Sequence, residues 1–231
     1  MARVLILREA AAARRTAAEI AARGHVPLVL SLEHVEMLGA APPDEEFAAF
    51  AVTSAHAVAP LARAFPNDPR PLFAVGEATA SAARAAGFPD VRVADGAADG
   101  IAPLAGDALP AGATILYAAG RTRTGTLETG LADAGIGCAV WEVYAIQPLQ
   151  PDAATVTRAL GGRAPDCVLV LSAGQAEAFG GLCRAVPDAF TPLPVVLALS
   201  ARIVAALPAE LRRCARISPD RGLSSLFEWL G

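Results

Sequence analysis

Short apolar runs alternate with alanine-rich stretches along almost the whole chain, and this alternation constrains the fold more than any other feature. Brief runs of Val, Ile and Leu are typical of buried strands, whereas alanine-rich stretches favour helices. Strands that alternate with helices predict an α/β fold with mostly parallel sheets. The predicted strands are Val4–Leu7, Val26–Leu30, Phe50–Thr53, Leu72–Val75, Val91–Ala94, Thr114–Ala118, Cys138–Ile146, Cys167–Leu171 and Pro194–Leu199.

Glycine and proline mark where the intervening helices stop. Gly24 and Gly87 stand where helical patterns end, as left-handed C-terminal caps require. Pro60 falls inside the helix expected after Ser54 and should kink or shorten it. The other predicted helices are Glu9–Arg23, Glu77–Ala86, Gly100–Leu109, Thr122–Ala134 and Gly222–Leu230.

The second half of the sequence repeats the pattern of the first. Gly24 follows Arg8 by sixteen residues, and Gly135 follows Ala119 by the same interval. A strand, a hydroxyl residue and a helix also recur in the same order in both halves. A chain of 231 residues is long enough for two lobes with separate cores, so the repeat predicts two similar lobes.

Small and hydroxyl residues follow the predicted strands in both halves. Parallel sheets bind ligands at the carboxyl ends of their strands, where the N–H groups of helix starts attract anions. A single serine at such a place is best interpreted as a helix cap, but the matching set favours a ligand cleft. The set comprises Thr53, Ser54, Gly76, Thr79, Ser172, Gly174 and Ser200.

Composition excludes several classes of chemistry. All 19 basic residues are arginine, which removes Schiff-base, pyridoxal phosphate and P-loop mechanisms that need lysine. The net charge is −4 and the arginines are scattered, so no nucleic-acid partner is expected. The cysteines form no C-x-x-C pair and are interpreted as free thiols, so no metal site is predicted. They are Cys138, Cys167, Cys183 and Cys214.

No standard catalytic arrangement is readable in the sequence. His56 is a candidate to face the cleft, whereas His25 is expected to pack beside a strand. There is no G-x-S-x-G elbow, and Gly135-Ile136-Gly137 follows a predicted helix rather than a strand, which argues against a dinucleotide site. The residues alone indicate a two-lobed cleft for an acidic small molecule.

The N-terminus predicts a cytoplasmic protein. Its apolar run is too short for a signal peptide and ends at Arg8. No apolar stretch approaches the roughly 20 residues of a membrane helix, so no membrane partner is expected.

At this point an ordered set of motifs resembles the uroporphyrinogen-III synthase family across nearly the whole chain. The sequence departs from the family pattern at Leu30-Ser31, at Leu199-Ser200, and at Ile203, where a threonine would match Thr79. The motifs are Val4-Leu5-Ile6-Leu7-Arg8, Val52-Thr53-Ser54-Ala55-His56-Ala57-Val58, Phe73-Ala74-Val75-Gly76-Glu77-Ala78-Thr79-Ala80, Ile115-Leu116-Tyr117, Val140-Trp141-Glu142-Val143-Tyr144 and Asp166-Cys167-Val168-Leu169-Val170-Leu171-Ser172-Ala173.

The resemblance implies two flavodoxin-like lobes with parallel sheets flanked by helices and joined by a two-stranded hinge. The first lobe would comprise 1–33 and 147–231, and the second 36–143. The hinge strands would lie near 26–36 and 138–147.

The resemblance also implies an activity that needs no cofactor. A family member closes linear hydroxymethylbilane, a polyacid, into uroporphyrinogen III and inverts ring D. Tyr144 matches a family tyrosine and is the candidate proton donor; the alternative is a phenol that only packs at the hinge. The implied substrate-binding residues are Arg8, Thr53, Ser54, Ala55, Gly76, Thr79, Ser172, Ala173 and Ser200.

The expected partners are the polycarboxylate substrate and the upstream enzyme that forms the bilane, and the protein is expected to be a monomer. One alternative is a non-catalytic two-lobed module that binds an acidic small molecule such as a tetrapyrrole. A periplasmic-type binding protein and a nucleotide-binding α/β enzyme are further alternatives, weakened by the missing signal peptide and the missing glycine fingerprint.

Overall fold

The chain folds as two units, each built around its own sheet. A computed structural model describes residues 1–95, 98–220 and 222–230. The first unit comprises 1–34 and 147–231, and the second comprises 35–146. The chain therefore leaves the first unit once and returns to it once.

Strands and helices alternate in both units. The strands are β1 (Arg3–Ile6), β2 (Val26–Val29), β3 (Glu33–Met37), β4 (Ala49–Val52), β5 (Leu72–Ala74), β6 (Val91–Val93), β7 (Thr114–Gly120), β8 (Gly137–Pro148), β9 (Cys167–Val170), β10 (Val195–Ala198) and β11 (Ala215–Ile217). The helices are α1 (Ala10–Ala22), α2 (Val58–Ala64), α3 (Glu77–Ala85), α4 (Ile101–Ala108), α5 (Thr126–Asp133), α6 (Ala153–Leu160), α7 (Ala173–Ala185), α8 (Ala201–Ala205), α9 (Ala209–Arg212) and α10 (Leu223–Phe227).

The sheet of the first unit has the strand order β11-β10-β9-β1-β2, and its paired strands run parallel. This is the flavodoxin order. Successive residues of β1 point to opposite faces, as the pleat of a strand requires. Leu5 and Leu7 pack with α6, α7, α8 and α9, whereas Val4 and Ile6 pack with α1 and α10. The sheet is therefore covered by helices on both faces.

The sheet of the second unit has the order β3-β8-β7-β4-β5-β6, and the pairs from β8 to β6 are parallel. Phe50 and Val52 of β4 pack with α2 and α3, while Ala49 and Ala51 pack with α4 and α5. The predicted class, α/β with parallel sheets flanked by helices, is confirmed. The strand order of this unit is nevertheless that of a Rossmann sheet, with β3 added beside β8.

Several predicted boundaries were wrong for local reasons. The helix predicted to start at Thr122 starts at Thr126, because Gly125 has a left-handed φ of 72° that helical backbone cannot adopt. The segment 26–36, where the resemblance implies a hinge strand, contains β2 and most of β3, which belong to different sheets. Leu30 and Leu32 lie between these two strands and are buried in the first unit. The Leu30 amide donates to the carbonyl of Ile6, the last residue of β1, and the Leu32 amide donates to the carbonyl of Leu7.

The short helices and strands were only partly predicted from the sequence. Pro60 lies in the first turn of the seven-residue α2, where its missing N–H costs no helical hydrogen bond. The C-terminal helix is α10 followed by a 3-10 turn over Glu228–Leu230. The sequence patterns missed α6 and β11; β11 has three residues at the sheet edge and little buried side-chain area.

Helix starts are capped by side chains that the fold places there. Glu9 accepts hydrogen bonds from the amides of Ala11 and Ala12 at the start of α1. Asp152 caps α6 in the same way through the amide of Thr155. Within the described residues, none of the helices is both long and apolar enough to cross a bilayer.

The core of the first unit should be sensitive to truncation of β1. Leu5 is fully buried, so Leu5→Ala removes packed methyl groups and leaves a cavity. We expect a loss of about 2–5 kcal/mol in the free energy of unfolding, measured by urea denaturation with circular dichroism. Leu193→Ala is the control, because Leu193 is 43% exposed and its truncation should cost about 0.5 kcal/mol or less. Equal losses for the two variants would contradict this account of the core.

Candidate functional site

Each sheet contains one place where the direction of strand addition reverses. In the first unit β2 lies on one side of β1, and the later strands β9, β10 and β11 are added in order on the other side. In the second unit β5 and β6 are added in order on one side of β4, and β7 and β8 are then added on its other side. Ligands of open α/β sheets bind at the carboxyl ends of the strands that flank such a reversal. The candidate edges are therefore the carboxyl ends of β1 and β9, and those of β4 and β7.

The predicted binding residues lie at or beside these edges. Thr53 and Ser54 follow β4, while Arg8 and Ser172 follow β1 and β9 by two residues. Gly76 and Ser200 follow strands one place further along their sheets, β5 and β10. Each unit thus contains part of the predicted set of binding residues.

A hydrogen-bonded pair of hydroxyls spans the reversal point of the second unit. The Thr53 Oγ1 and Tyr117 Oη atoms are 2.7 Å apart. Tyr117 pairs with Ala51 across β7 and β4, which puts its side chain on the same face as that of Thr53. Tyr117 is 4% exposed, and this burial raises the pKa of its phenol above the ordinary value.

Tyr117 was quoted in the sequence motif but was given no role there. A buried tyrosine needs a partner for its hydroxyl, and an otherwise aliphatic strand made Tyr117 conspicuous. That signal shows that a partner is required, but the partner is identified only by the pairing of β7 with β4.

A β-bulge places Tyr144 beside Gly120. Ala119 pairs with Glu142, but Gly120 pairs with Tyr144, so Val143 is the extra residue. Val143 and Tyr144 consequently both pack in the cluster around Phe50, although they are adjacent in sequence. A Cβ on Gly120 would lie 2.7 Å from Tyr144 Cζ and 2.9 Å from its Oη. Only glycine therefore leaves room for this phenol.

The rings of His56 and Tyr144 pack against each other in a tilted, T-shaped arrangement. The ring centroids are 5.5 Å apart and the planes are inclined at 61°. His56 belongs to a 3-10 turn over Ala55–Ala57, and its amide donates to Ser54 Oγ at 3.3 Å. Ser54 is thus a helix cap, and Ala55, which follows it, is exposed at the turn.

The start of α3 differs from the serine-capped helix starts. Gly76 is its N-terminal cap residue and brings no side-chain hydrogen bond to the first turn. The amides of Thr79 and Ala80 bond to the Gly76 carbonyl, and the Thr79 side chain is buried. The earlier amides of this turn are therefore available to an acceptor such as water or an anion.

Four charged residues lie around the carboxyl end of β7 and the middle of β8. Arg123 donates to Glu128 at 2.7 Å, to Glu142 at 2.9 Å and to the Gly120 carbonyl at 3.3 Å. The Arg123 guanidinium lowers the pKa of the Glu142 carboxyl, and Arg121 adds to this effect. Arg123 is neutralised by its own partners, so we interpret it as a support for Gly120 rather than an anion site.

Arg8 differs from Arg123 because burial, rather than hydrogen-bonded carboxylates, has the largest influence on its pKa. Its Nη1 donates to Thr16 Oγ1 at 3.1 Å. Burial lowers the pKa of the Arg8 guanidinium, and the positive charge of Arg15 lowers it further. The carboxylates of Glu9 and Glu33 act in the opposite direction, but the net shift is downward. A carboxylate ligand would therefore stabilise the charged form of Arg8.

Gln175 links the end of β9 to the start of α7. Ser172 Oγ accepts from the Gln175 amide at 3.1 Å, while Gln175 Oε1 accepts from the Leu171 amide at 2.9 Å. Gln175 Nε2 donates to Glu33 Oε1 at 3.0 Å. Gln175 is buried, and no sequence motif singled it out. These bonds hold Leu171 and Ser172, the two residues that lead from β9 into α7.

Ser200 also caps a helix, since its Oγ accepts from the Ile203 amide at 3.5 Å. The cap interpretation is therefore confirmed for Ser54, Ser172 and Ser200, and capping does not prevent the same residues from meeting a ligand. In the described part of the chain, no three His, Cys, Asp or Glu side chains are grouped closely enough to hold a metal ion.

A family model described as uroporphyrinogen-III synthase HemD matches residues 14–228. The chain belongs to the uroporphyrinogen-III synthase family. That family serves haem biosynthesis, as its name indicates. The match includes every predicted site residue except Arg8, which precedes it. No protein of curated function matches the chain significantly.

Solved uroporphyrinogen-III synthases share the fold of this family member. The enzyme of Helicobacter pylori 26695 superimposes with a TM-score of 0.64 at 16% identity, covering 100% of this chain and 98% of its own. A selenomethionine variant of the enzyme of the extreme thermophile Thermus thermophilus gives a TM-score of 0.54 at 20% identity, covering 100% and 97%. These similarities confirm the architecture.

Gly120→Ala tests the close contact that places Tyr144. The new methyl group must displace the phenol, and we expect a loss of about 1–3 kcal/mol in the free energy of unfolding. Gly106→Ala in α4 is the matched control, because its Cβ would meet nothing nearer than Ala134 at 4.0 Å. Alanine inside a helix should stabilise the control by about 0.5–1 kcal/mol. The free energies of unfolding of both variants are measured by chemical denaturation. An unchanged value for Gly120→Ala would contradict the packing described.

Proposed function

We propose that this protein closes linear hydroxymethylbilane into uroporphyrinogen III, with inversion of ring D and without a cofactor. The family match over residues 14–228 is the observation that carries this proposal. The edges support it, because they offer N–H groups, hydroxyls and the partly buried Arg8 to a substrate rich in carboxylates.

The proposal assigns substrate binding to both units. Backbone amides at helix starts and neighbouring hydroxyls would receive the acetate and propionate side chains, and Arg8 would pair with one of them. The assigned residues are Arg8, Ser172, Ala173 and Ser200 in the first unit, and Thr53, Ser54, Ala55, Gly76 and Thr79 in the second.

The proposed chemistry depends on positioning rather than on a strong nucleophile. Departure of the ring-A hydroxyl as water leaves an azafulvene cation. The substituted carbon of ring D then attacks this electrophile and forms a spiro intermediate, which rearranges to the inverted macrocycle. Holding the two rings in contact can contribute about 7 kcal/mol or more to such a ring closure.

The buried Cys167 and the partly buried Cys138 and Cys183 are compatible with a reactive electrophile. Burial raises the pKa of Cys138 to about 11, and the pKa values of Cys167 and Cys183 to about 12. These thiols stay protonated near neutral pH, and a protonated thiol is a poor nucleophile. They would therefore not trap the azafulvene.

Tyr144 is the proposed proton donor to the departing hydroxyl. Its phenol lies at the bulge beside Gly120, at the reversal edge of the second unit. A weak acid suffices here, because the hydroxyl needs one proton to leave as water.

The reaction class, oligomeric state, location and lobe boundaries proposed here are those that the family resemblance implies. The reaction is that of a cyclising hydro-lyase, and the protein would act as a monomer in the cytoplasm on the product of the upstream bilane-forming enzyme. The lobes would comprise 1–33 with 147–231 and 36–143, and the hinge would lie near 26–36 and 138–147.

The isomer formed from hydroxymethylbilane tests the function directly. Substrate generated in the assay is mixed with the protein, and the products are oxidised and separated chromatographically. We expect mainly isomer III, whereas the control without protein yields isomer I by spontaneous closure. Isomer I alone from folded protein would refute the synthase activity and favour a non-catalytic tetrapyrrole-binding module.

Tyr144→Phe tests the proton donor. The ring and its packing remain, so the melting temperature should change little while kcat falls about 100-fold, as expected for loss of a general acid. The residual enzymatic product should still be isomer III, because ring positioning does not need the phenol proton. A variant with unchanged kcat would show that Tyr144 only packs.

A further inference from the structure

The direction of the Tyr117–Thr53 hydrogen bond decides what Thr53 offers to a ligand. The 2.7 Å distance allows either oxygen to donate. Each hydroxyl has one proton, so the residue that accepts in this pair keeps its own proton for another partner. The two directions therefore give Thr53 opposite roles, as a donor or as an acceptor at the edge.

Burial determines which direction the pair adopts. Tyr117 is 4% exposed, whereas Thr53 is only half-buried. Within the described residues, the hydrogen bond to Thr53 is the one that the Tyr117 hydroxyl makes. If Thr53 donated, the phenol proton would be left inside the protein without an acceptor, which is costly. Donation by Tyr117 gives the buried phenol proton the Thr53 oxygen as its acceptor. The Thr53 hydroxyl proton, on the more exposed residue, then remains available to another partner.

The electrostatic surroundings keep the phenol protonated. Burial is the largest influence on the pKa of Tyr117 and raises it, whereas the hydrogen bond with Thr53 lowers it. Glu128 and Tyr144 raise this pKa further, Arg123 lowers it, and the net shift is upward. Tyr117 thus keeps the proton that it donates throughout the neutral range.

We propose that Tyr117 is a positioning residue that directs the Thr53 hydroxyl proton toward a carboxylate of the substrate. This inference rests on the proposed function, because it takes Thr53 as a substrate-binding residue. The proposal gives Tyr117 no contact of its own with the substrate. Its effect on binding must therefore pass through Thr53, which makes the assignment testable by coupling.

A double-mutant cycle measures this coupling. Tyr117→Phe removes the phenol oxygen and keeps the ring, whereas Thr53→Val removes the hydroxyl and keeps the shape. We expect Tyr117→Phe to raise KM for hydroxymethylbilane about three- to tenfold, with kcat within about twofold, since one hydrogen bond to the bound substrate is weakened. In the Thr53→Val background, Tyr117→Phe should change KM by less than about twofold.

Thr53→Ser provides the matched control, because serine retains the hydroxyl. In this background Tyr117→Phe should again raise KM about three- to tenfold. Melting temperatures of all variants are recorded so that KM is compared only among folded proteins. A merely structural role for Tyr117 would raise KM equally with valine or serine at position 53.

The outcomes separate this inference from the proposed function. Wild-type protein that yields isomer III, combined with an unchanged KM for Tyr117→Phe, would overturn the positioning role alone. An equal rise in KM in the valine and serine backgrounds would do the same. Wild-type protein that yields only isomer I would overturn both the synthase activity and this inference.

Discussion

Parallel pairing at the reversal points, β1 with β9 and β4 with β7, is the constraint on which the rest of the structure depends. It brings the carboxyl ends of strands that are far apart in sequence to one edge. Arg8 thereby comes to the same edge as Ser172, and Thr53 to the same edge as Gly120. Neither edge exists in a single strand–helix unit, so the candidate sites are products of sheet assembly.

The polar groups at these edges are mostly neutral, and the fold accounts for that. Amides at helix starts and capped serines supply partial charges in place of full ones. Arg123 bonds to two carboxylates, whereas the pKa of Arg8 is lowered chiefly by burial. Such edges suit a ligand that brings its own negative charge.

Close packing controls the two tyrosines of the second unit in different ways. Tyr144 depends on a bulge in β8 and on the missing side chain of Gly120. Tyr117 depends on its register opposite β4, which gives its buried hydroxyl Thr53 as a partner. Steric fit thus positions the phenol of Tyr144, whereas a hydrogen bond positions that of Tyr117. Both tyrosines lie near the same edge of the sheet.

The sequence by itself determined the α/β class, the repeat and the identity of the strand-end residues. These properties follow from local patterns: apolar runs of strand length, glycine stops such as Gly24 and Gly87, and serine caps such as Ser54. Only the tertiary structure decided the Rossmann order of the second sheet, the partners of Tyr117 and Gln175, and the close contact of Gly120 with Tyr144. These depend on pairings between segments distant in sequence, and no local pattern specifies which strand becomes the neighbour of another or where a bulge shifts the register.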